Sequence, residues 1–370
     1  MLRIGIDARL TYYRQGGIAA SIRHLIEELP HIDTQNQYII LHSRKDQNNL
    51  ATAPNQKRAI CWTPSHHRWE RYALAVEVAP RRLDLLHSPD FIPPVNGAYR
   101  SIITIHDLTF LHYPQFLTEE SRRYYNDQIE AAVRRADHIL CDSDATRNDV
   151  LNMLPVSEEK ATTVWLGLSN HFYRPSEPTI ATFCDQHQLS RGYLLFVGTF
   201  EPRKNLPGLL QAYHSLRSTL PDSPKLVIAG RRGWLYDEAL KRATNLGLSD
   251  HVVWLENVPY DDLPALYSAA SLLCLPSFYE GFGFPPLEAM ACGTPTVVAN
   301  RASLPELVGE AAILVDPDDP DSIADAMTRI LTDSNLATSL RARGLERIEL
   351  FSWRRCAQQT HDIYLQVLSS

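Results

Sequence analysis

The chain has 370 residues, of which 44% are hydrophobic and 21% are charged, and its formal net charge is -7. This length predicts two domains rather than one core, and the composition excludes a disordered chain. The negative charge argues against nucleic acid as the main partner, because duplex-binding proteins usually carry a basic excess.

The six cysteines lie far apart without a CxxC pair, and several stand in apolar runs such as SLLCLP and HILCDS. This pattern favours buried free thiols in a reducing, cytoplasmic compartment. The N-terminus MLRIGIDARL begins directly as a strand, so we expect no signal peptide. No apolar run approaches the roughly 20 residues that are needed to span a bilayer.

Short apolar strands and amphipathic helices alternate through the first half of the chain. The strand segments are RIGIDA, QYIILHS, SIITIHD, HILCDS and TTVWLG. The helices include GGIAASIRHLIEEL after its glycine loop, EESRRYYNDQIEAAVRRA, and one that is capped by Ser143 or Asp144. Residues 171–191 carry prolines and no clear period, and we interpret them as the interdomain connection.

A second alternating series contains YLLFVGTF, KLVIAG, HVVWLEN, LLCLPS, TPTVVA and AAILVDP. Its helices include one opened by Asn205, one from about Trp234, and DDPDSIADAMTRILTD with an aspartate cap and an early proline. Such alternation predicts parallel sheets covered on both faces. We therefore predict an α/β fold of two doubly wound domains, 1–172 and 192–351, with a linker at 173–191. A last helix, FSWRRCAQQTHDIYLQVL, continues the second domain or crosses back to the first.

Ligands of such sheets bind at the carboxyl ends of the strands, in loops that enter helices. In RLTYYRQGGIAAS, Gly16 and Gly17 would let backbone N–H groups face an anion, or would form a tight turn with positive φ. The loop lacks GxGxxG, which argues against a dinucleotide cofactor. In TIHDLTF, His106 and Asp107 either form a structural hydrogen bond or present an imidazole to a substrate hydroxyl.

The loop VGTFEPRKN places two cations beside a helix start. A strand ends at Gly198, and Arg203 and Lys204 precede the next helix. Cations there oppose the macrodipole unless an anion is bound. A diphosphate would satisfy both, and the alternative is two exposed cations that point away. In IAGRRGW, Gly230 would allow the close approach of a flat ligand, and Arg231 would stack or donate a hydrogen bond.

The stretch SFYEGFGFPPLEAMACGTP holds Glu280 in a loop and Glu288 eight residues later. The two prolines suit the first turn of a helix, and Gly293 suits its end. We expect Glu288 in that first turn, with the N–H groups of residues 282–284 facing the same point. Donors for an anion between two carboxylates fit a nucleotide sugar. The alternatives are dipole compensation for Glu288 and a solvated loop acid for Glu280.

The segment E-G-F-G-F-P-P-L-E-A-M-A-C-G-T-P resembles the E-x7-E signature of retaining GT-B glycosyltransferases of glycosyltransferase family 4. The resemblance extends over nearly the whole chain through the glycine loop, IHD, GTFEPRKN, LVIAG and SLPELVGEAAILVDPDDPDSIADAM. It implies two facing Rossmann-like domains with the active site in the cleft. The C-terminal domain would hold the donor, the N-terminal domain most of the acceptor, and the last helix, 352–370, would cross back to the first domain.

The resemblance also implies roles for single residues. Glu288 would bind the ribose and Glu280 the hydroxyls of the donor sugar. Arg203 and Lys204 would hold the diphosphate, and His106 would face the transferred sugar. Further donor-binding residues would be Gly17, Gly283 and Phe284 through backbone N–H groups, Gly198, Gly281 and Phe282, and, bordering the base, Gly230, Arg231, Asn257 and Val258.

The implied reaction is hexosyl transfer with retention, without a metal or another cofactor. The acceptor would be a hydroxyl of a glycan or a lipid-linked sugar, as in surface polysaccharide assembly. The DAR…GGI start and IHDLTFLHYP resemble the mannosyl- and rhamnosyltransferase branch. GDP-mannose is therefore the first donor to consider, before UDP and other nucleotide sugars. Ala20 and Ser21 stand where Arg and Tyr are frequent in the family, which leaves the acceptor open.

Two other functions remain open on the sequence, a sugar-nucleotide epimerase of the same fold and a non-catalytic sugar-nucleotide binder. The segments HHRWERYALAVEVAPRRLD and RRYYN…VRRA place cations and aromatic residues in the first domain. They are compatible with peripheral contact at the inner face of a membrane, and solvated helix faces are the alternative.

Overall fold

Two parallel sheets organise the residues that the computed structural model describes, which are 1–14, 16–116, 119–233 and 236–370, without the side chains of 116, 120–124 and 127. The sheets have seven and six strands. They lie in two units, Met1–Gly167 with Phe351–Ser370, and Leu168–Leu350. No helix in the described ranges combines the length and the apolarity that crossing a membrane requires.

The first unit alternates strands with helices from its first residues. Its elements are β1 (Arg3–Asp7), α1 (Leu10–Tyr13), α2 (Gly17–Glu28), β2 (Gln37–Ser43), β3 (Gln56–Cys61), α3 (Glu70–Val78), β4 (Leu85–Ser88), β5 (Arg100–Ile105), α4 (Thr109–His112), α5 (Glu119–Arg135), β6 (His138–Cys141), α6 (Asp144–Met153) and β7 (Ala161–Thr163). The strand order is β3-β2-β1-β4-β5-β6-β7. Of the two predicted caps for α6, Ser143 is the one used, because its side chain accepts from the backbone of Thr146.

The second unit repeats the pattern. Its elements are α7 (Glu177–Gln186), β8 (Leu194–Val197), α8 (Leu206–Thr219), β9 (Leu226–Gly230), α9 (Tyr236–Asn245), β10 (Val252–Glu256), α10 (Leu263–Ser268), β11 (Leu272–Leu275), α11 (Phe284–Ala291), β12 (Thr296–Ala299), α12 (Leu304–Val308), β13 (Ala312–Val315), α13 (Pro320–Thr332) and α14 (Ser334–Arg347). The strand order is β10-β9-β8-β11-β12-β13. Asn205 and Asp319 cap α8 and α13 as predicted, whereas the predicted start of α9 at Trp234 lies outside the described residues.

Burial explains why these strands are mostly apolar. Every residue of β4, β6, β11 and β12 is buried, as expected for parallel strands that helices cover on both faces. In each sheet the sequence order reverses beside the first strand, between β1 and β4 and between β8 and β11. Loops diverge at such a switch point and leave a crevice at the carboxyl ends of the strands.

The predicted linker differs from the expectation, whereas the last helix lies where the family resemblance placed it. The predicted linker, 173–191, contains α7, which Ser176 caps and which has a proline in its first turn. A proline there needs no hydrogen-bond partner for its nitrogen. The proline therefore indicated the start of a helix, not an irregular segment. The last helix, α15 (Trp353–Ser369), packs on the first unit, where Tyr364 bonds His87 at 2.6 Å.

Candidate functional site

The loops after β8 and β11 are joined beside the switch point of the second sheet. Arg203 and Lys204 end a short 3-10 segment, Pro202–Lys204. The N–H of Phe278 donates to the carbonyl of Arg203 at 2.7 Å, and Arg203 Nη1 donates to the carbonyl of Tyr279 at 3.2 Å. These bonds hold the two cations against the loop that carries Glu280.

Glu280 lies at the centre of this charged group. Its Oε1 accepts from Lys204 Nζ at 2.5 Å and from Ser277 Oγ at 2.7 Å, and its Oε2 accepts from Arg203 Nη1 at 2.6 Å. Burial alone would raise the pKa of Glu280, but the charges of Lys204 and Arg203 outweigh it and lower the pKa to about 2. The carboxylate is therefore ionised, and a lone pair of Oε2 is left for another donor.

The structure contradicts the alternative interpretations of these three residues, which were a solvated loop acid and two exposed cations that point away. The side chains of Glu280 and Lys204 are 7% and 8% exposed, so Glu280 is not a solvated loop acid and Lys204 does not point away. Arg203 is partly buried and also binds Glu201 at 3.0 Å. The three charges form one preorganised cluster, and its contact with a donor stays a prediction.

Glu288 lies deeper in its helix than expected. Helix α11 already begins at Phe284, before the two prolines, with Gly283 at its N-cap. Glu288 is thus the fifth helical residue, and its predicted place in the first turn is wrong. Dipole compensation consequently explains it poorly, because that effect falls off within the first turn. The predicted helix end is confirmed, since Gly293 follows it with φ 75°.

A tyrosine holds the carboxyl group of Glu288. The hydroxyl of Tyr267 donates to Glu288 Oε2 at 2.5 Å. Burial raises the pKa of Glu288 to about 7, although Tyr267 and Lys204 favour the ionised form. A carboxyl group that titrates near neutrality is a candidate functional group. Sequence reasoning missed Tyr267, because its place in an apolar helix resembled a core position.

The loop between the two glutamates is held tightly. Ser303 Oγ lies 2.8 Å from the carbonyl oxygen of Glu280 and 2.5 Å from that of Phe282. Gly283 has φ 119°, and a Cβ there would lie 2.8 Å from the side chain of Leu304, so only glycine fits. Donor binding by four residues of this loop stays a prediction: Gly281, Phe282, Gly283 and Phe284.

The other predicted donor residues of this unit lie at or just after the ends of β8, β9 and β10. A Cβ on Gly230 would lie 1.8 Å from the carbonyl oxygen of Gly198. The neighbouring strand end therefore already accounts for this glycine, without the flat ligand that the sequence suggested. Asn257, with φ 54°, donates its N–H to Gly230 at 3.4 Å. The role of bordering a base stays a prediction for Gly230, Arg231, Asn257 and Val258.

In the first unit, His106 follows β5 as predicted, but its partner is not Asp107. Its Nδ1 lies 2.6 Å from Asp142 Oδ2, and its Nε2 lies 2.6 Å from the carbonyl oxygen of Pro89. Burial lowers the pKa of His106, but Asp142 outweighs it and raises the pKa to about 9. Both nitrogens therefore donate to protein oxygens, and contact with a sugar stays a prediction. Asp107 instead accepts from the N–H of Thr109 at 2.9 Å.

The glycine loop of the first unit ends where α2 begins. Gly17 is the first helical residue, and Gly16 caps the helix with φ 128°. The same unit contains a buried ion cluster that was not predicted, in which Arg9 Nη2 binds Asp7 and Glu70, each at 2.6 Å. Among the described residues, no group of three His, Cys, Asp or Glu side chains is placed to hold a metal.

Comparison with known proteins decides the family. Residues 15–169 match the family Glycosyltransferase Family 4, and residues 185–347 match Glycosyl transferases group 1. The chain is 36% identical over 284 residues to O-antigen chain mannosyltransferase B of Escherichia coli. This match covers 76% of this chain and 74% of that protein. The chain belongs to glycosyltransferase family 4, whose two domains these two family models describe.

Other relatives of this glycosyltransferase are longer. It is 30% identical over 285 residues to the serotype-specific mannosyltransferase WbdA of Escherichia coli, a match that covers 75% of this chain and 35% of WbdA. The chain thus spans about a third of that relative's length.

Solved structures share the fold of this glycosyltransferase. Sucrose-phosphate synthase from Thermosynechococcus elongatus superposes with a TM-score of 0.79 at 22% identity, over 100% of each chain. Anabaena HepE, solved in complex with UDP and glucose, gives a TM-score of 0.75 at 17% identity, over 99% of this chain and 100% of that one. With the two parallel sheets, they confirm the predicted GT-B type of α/β fold.

Proposed function

We propose that the chain is a retaining hexosyltransferase that uses a nucleotide-diphosphate sugar, with GDP-mannose as the first donor. The acceptor is a hydroxyl of a glycan or a lipid-linked sugar in surface polysaccharide assembly. The cluster of Glu280 with Arg203 and Lys204 carries this proposal. The names of the Escherichia coli relatives support mannose and a surface polysaccharide. The buried free thiols suit a cytoplasmic location.

The cluster suits a diphosphate because of its charge and its rigidity. Lys204 and Arg203 share the buried carboxylate of Glu280, and the second acid on Arg203, Glu201, is 31% exposed and screened by solvent. The buried part of the cluster therefore keeps one positive charge for an anion. Hydrogen bonds to Glu280 and to the backbone carbonyl of Tyr279 already order the side chain of Arg203, so little side-chain freedom is lost on binding. As the diphosphate departs, these cations stabilise the charge that develops on it, and no metal is required.

The transfer step needs no enzyme nucleophile. The bond from the anomeric carbon to the diphosphate oxygen breaks while a bond to the acceptor oxygen forms on the same face. The acceptor proton passes to the leaving phosphate oxygen. The products are a nucleoside diphosphate and a glycoside whose anomeric configuration equals that of the donor.

The two glutamates bind hydroxyl groups in this proposal. The lone pair of Glu280 Oε2 that is left beside Arg203 accepts from a hydroxyl of the donor sugar. Glu288 accepts from the paired ribose hydroxyls, which requires its ionised form. His106 contacts the transferred sugar in this proposal, and that role requires that its ring gives up the carbonyl of Pro89.

A panel of GDP, UDP and other nucleotide sugars, scored by thermal shift, identifies the donor. The best ligand is then incubated with glycan acceptors, and with no acceptor, in the presence of EDTA. We expect glycoside formation that EDTA does not reduce. Accumulation of a 2-epimer without acceptor would instead indicate an epimerase. Donor binding without product on any acceptor would indicate a non-catalytic binder.

A further inference from the structure

Helix α3 has apolar residues on its solvent side as well as on its core side. Leu74 and Val78 are buried, whereas Tyr72 and Val76 are exposed. A surface helix normally carries polar residues on its outer face. Together with three neighbours, these side chains form an exposed apolar group that we call the α3 face: Ile60, Trp62, Trp69, Tyr72 and Val76, each between 51% and 74% exposed.

Several contacts hold the α3 face together. The carboxylate of Glu77, on α3, accepts from the backbone N–H of Trp62 at 2.7 Å. Arg81 donates to the carbonyl of Ile60 at 2.7 Å. The rings of Trp69 and Tyr72 lie 6.1 Å apart. The end of β3 and the outer side of α3 therefore present one surface.

Cations outnumber acids in the segment that carries the α3 face, and its acids are buried or bound to the backbone. From Arg44 to Arg82 the sequence has eight Lys and Arg and three Asp and Glu, a net charge of +5 in a chain of net charge -7. Of the three acids, Asp46 and Glu70 are buried. The third, Glu77, binds the backbone.

Two of the cations are paired with the exposed tryptophans. The guanidinium of Arg44 lies 4.5 Å from the ring centroid of Trp62, and that of Arg68 lies 5.7 Å from Trp69. Aromatic rings with a polar edge favour the boundary between water and hydrocarbon. Lysine and arginine beside them favour anionic headgroups.

We propose that the α3 face docks on the surface of an anionic lipid bilayer, with Trp62 and Trp69 at headgroup depth. A second copy fits this surface poorly, because a symmetric contact would bring two strongly positive segments together. Pairing of the edge strand β3 is also opposed by the exposed Lys57. This inference does not depend on the proposed donor. The side chains of 122–124, in the other basic segment, lie outside the described residues.

Flotation of the full chain with vesicles tests the proposal. We expect binding to vesicles of equal parts phosphatidylglycerol and phosphatidylethanolamine, and little binding to pure phosphatidylcholine. The variant Arg44→Glu/Arg68→Glu should lower partitioning about 25-fold or more, at about fivefold for each cation lost. Trp69→Ser/Val76→Ser should also lower it. The matched controls are Arg343→Glu and Leu345→Ser, which change exposed residues of α14.

Transfer to a short soluble acceptor and the unfolding temperature should stay unchanged in all four variants. Equal flotation with neutral vesicles, or loss of flotation in the controls as well, would overturn the proposal. Absence of flotation with the anionic vesicles would overturn it in favour of an acidic protein partner. A concentration-dependent dimer that only the α3-face variants abolish would overturn it in favour of a second copy.

Discussion

Replacing Glu280 by glutamine removes the one negative charge that Lys204 and Arg203 share. All three side chains are largely buried, and the distances to Glu280 are 2.5 and 2.6 Å. Breaking a buried ion pair costs about 3–5 kcal/mol, and since the amide oxygen of Gln still accepts a hydrogen bond, we expect about 3 kcal/mol. At about 2–4 °C per kcal/mol for a domain of this size, the unfolding temperature should fall by about 6–12 °C.

Calorimetric unfolding with and without a nucleoside diphosphate measures this change. The diphosphate should stabilise Glu280→Gln at least as strongly as the wild type, because Lys204 then lacks its carboxylate and Arg203 keeps only the partly exposed Glu201. Transfer should nevertheless be lost, because the charged acceptor for a hydroxyl of the donor sugar is gone. Glu201→Gln is the matched control. Glu201 binds Arg203 at 3.0 Å and its side chain is 31% exposed, so we expect at most about 1 kcal/mol.

The reasoning is refuted if Glu280→Gln unfolds at the wild-type temperature, or if the two variants behave alike. Wild-type turnover in a folded Glu280→Gln would refute the catalytic assignment separately. The two outcomes therefore distinguish the charge cluster from the role proposed for it.

Three further changes test other parts of the site. Lys204→Ala should weaken nucleoside diphosphate binding by about 1.5–3 kcal/mol in titration calorimetry, whereas the exposed Lys225→Ala should not; equal affinities would contradict the diphosphate contact. Burial raises the pKa of Glu288 from 4.5 to about 7, so between these two pH values the native state keeps a proton that the unfolded chain releases. The free energy of unfolding should therefore fall as the pH rises from 4.5 to about 7. Glu288→Gln should remove this fall, while wild-type donor affinity should rise over the same window; a pH profile that the substitution does not alter would refute the shift. Asn205 caps α8 from a left-handed conformation, so Asn205→Ala should cost about 2 kcal/mol in denaturant unfolding and Asn205→Gly about 1 kcal/mol less; equal costs would contradict the backbone argument.

Local signals predicted most of the fold. The apolar strands, the proline-led helix α11 and the cap at Asn205 are all determined by nearby residues, which is why they could be identified. Among the elements that were not predicted are β3, β4 and α3. In β3 and α3, charges and outward aromatic residues obscure the expected periods. The membership of α15 in the first unit depends on contacts such as that of His87 with Tyr364, which join distant parts of the chain.

In the candidate site, too, local features could be predicted from the sequence, whereas contacts between distant residues could not. Both RKN and E-x7-E were predicted to follow the carboxyl ends of strands, and in the structure Glu280 contacts Arg203 and Lys204. Sequence could not show that Glu280 is held by those cations, or that Tyr267 holds Glu288. The prediction that His106 bonds Asp107 was wrong because the true partner, Asp142, is distant in the sequence. Asp142 lies at the end of the adjacent strand β6.

The anomeric configuration of the product tests the central claim most directly. The wild-type chain is supplied with the nucleotide sugar that binds best, GDP-mannose in the first trial, and with a glycan acceptor, and the new linkage is observed by proton NMR. We predict an α-mannoside, the configuration of the donor, formed with one nucleoside diphosphate for each sugar transferred. A β-mannoside, or release of free sugar with no glycoside on any acceptor, would contradict a retaining transfer.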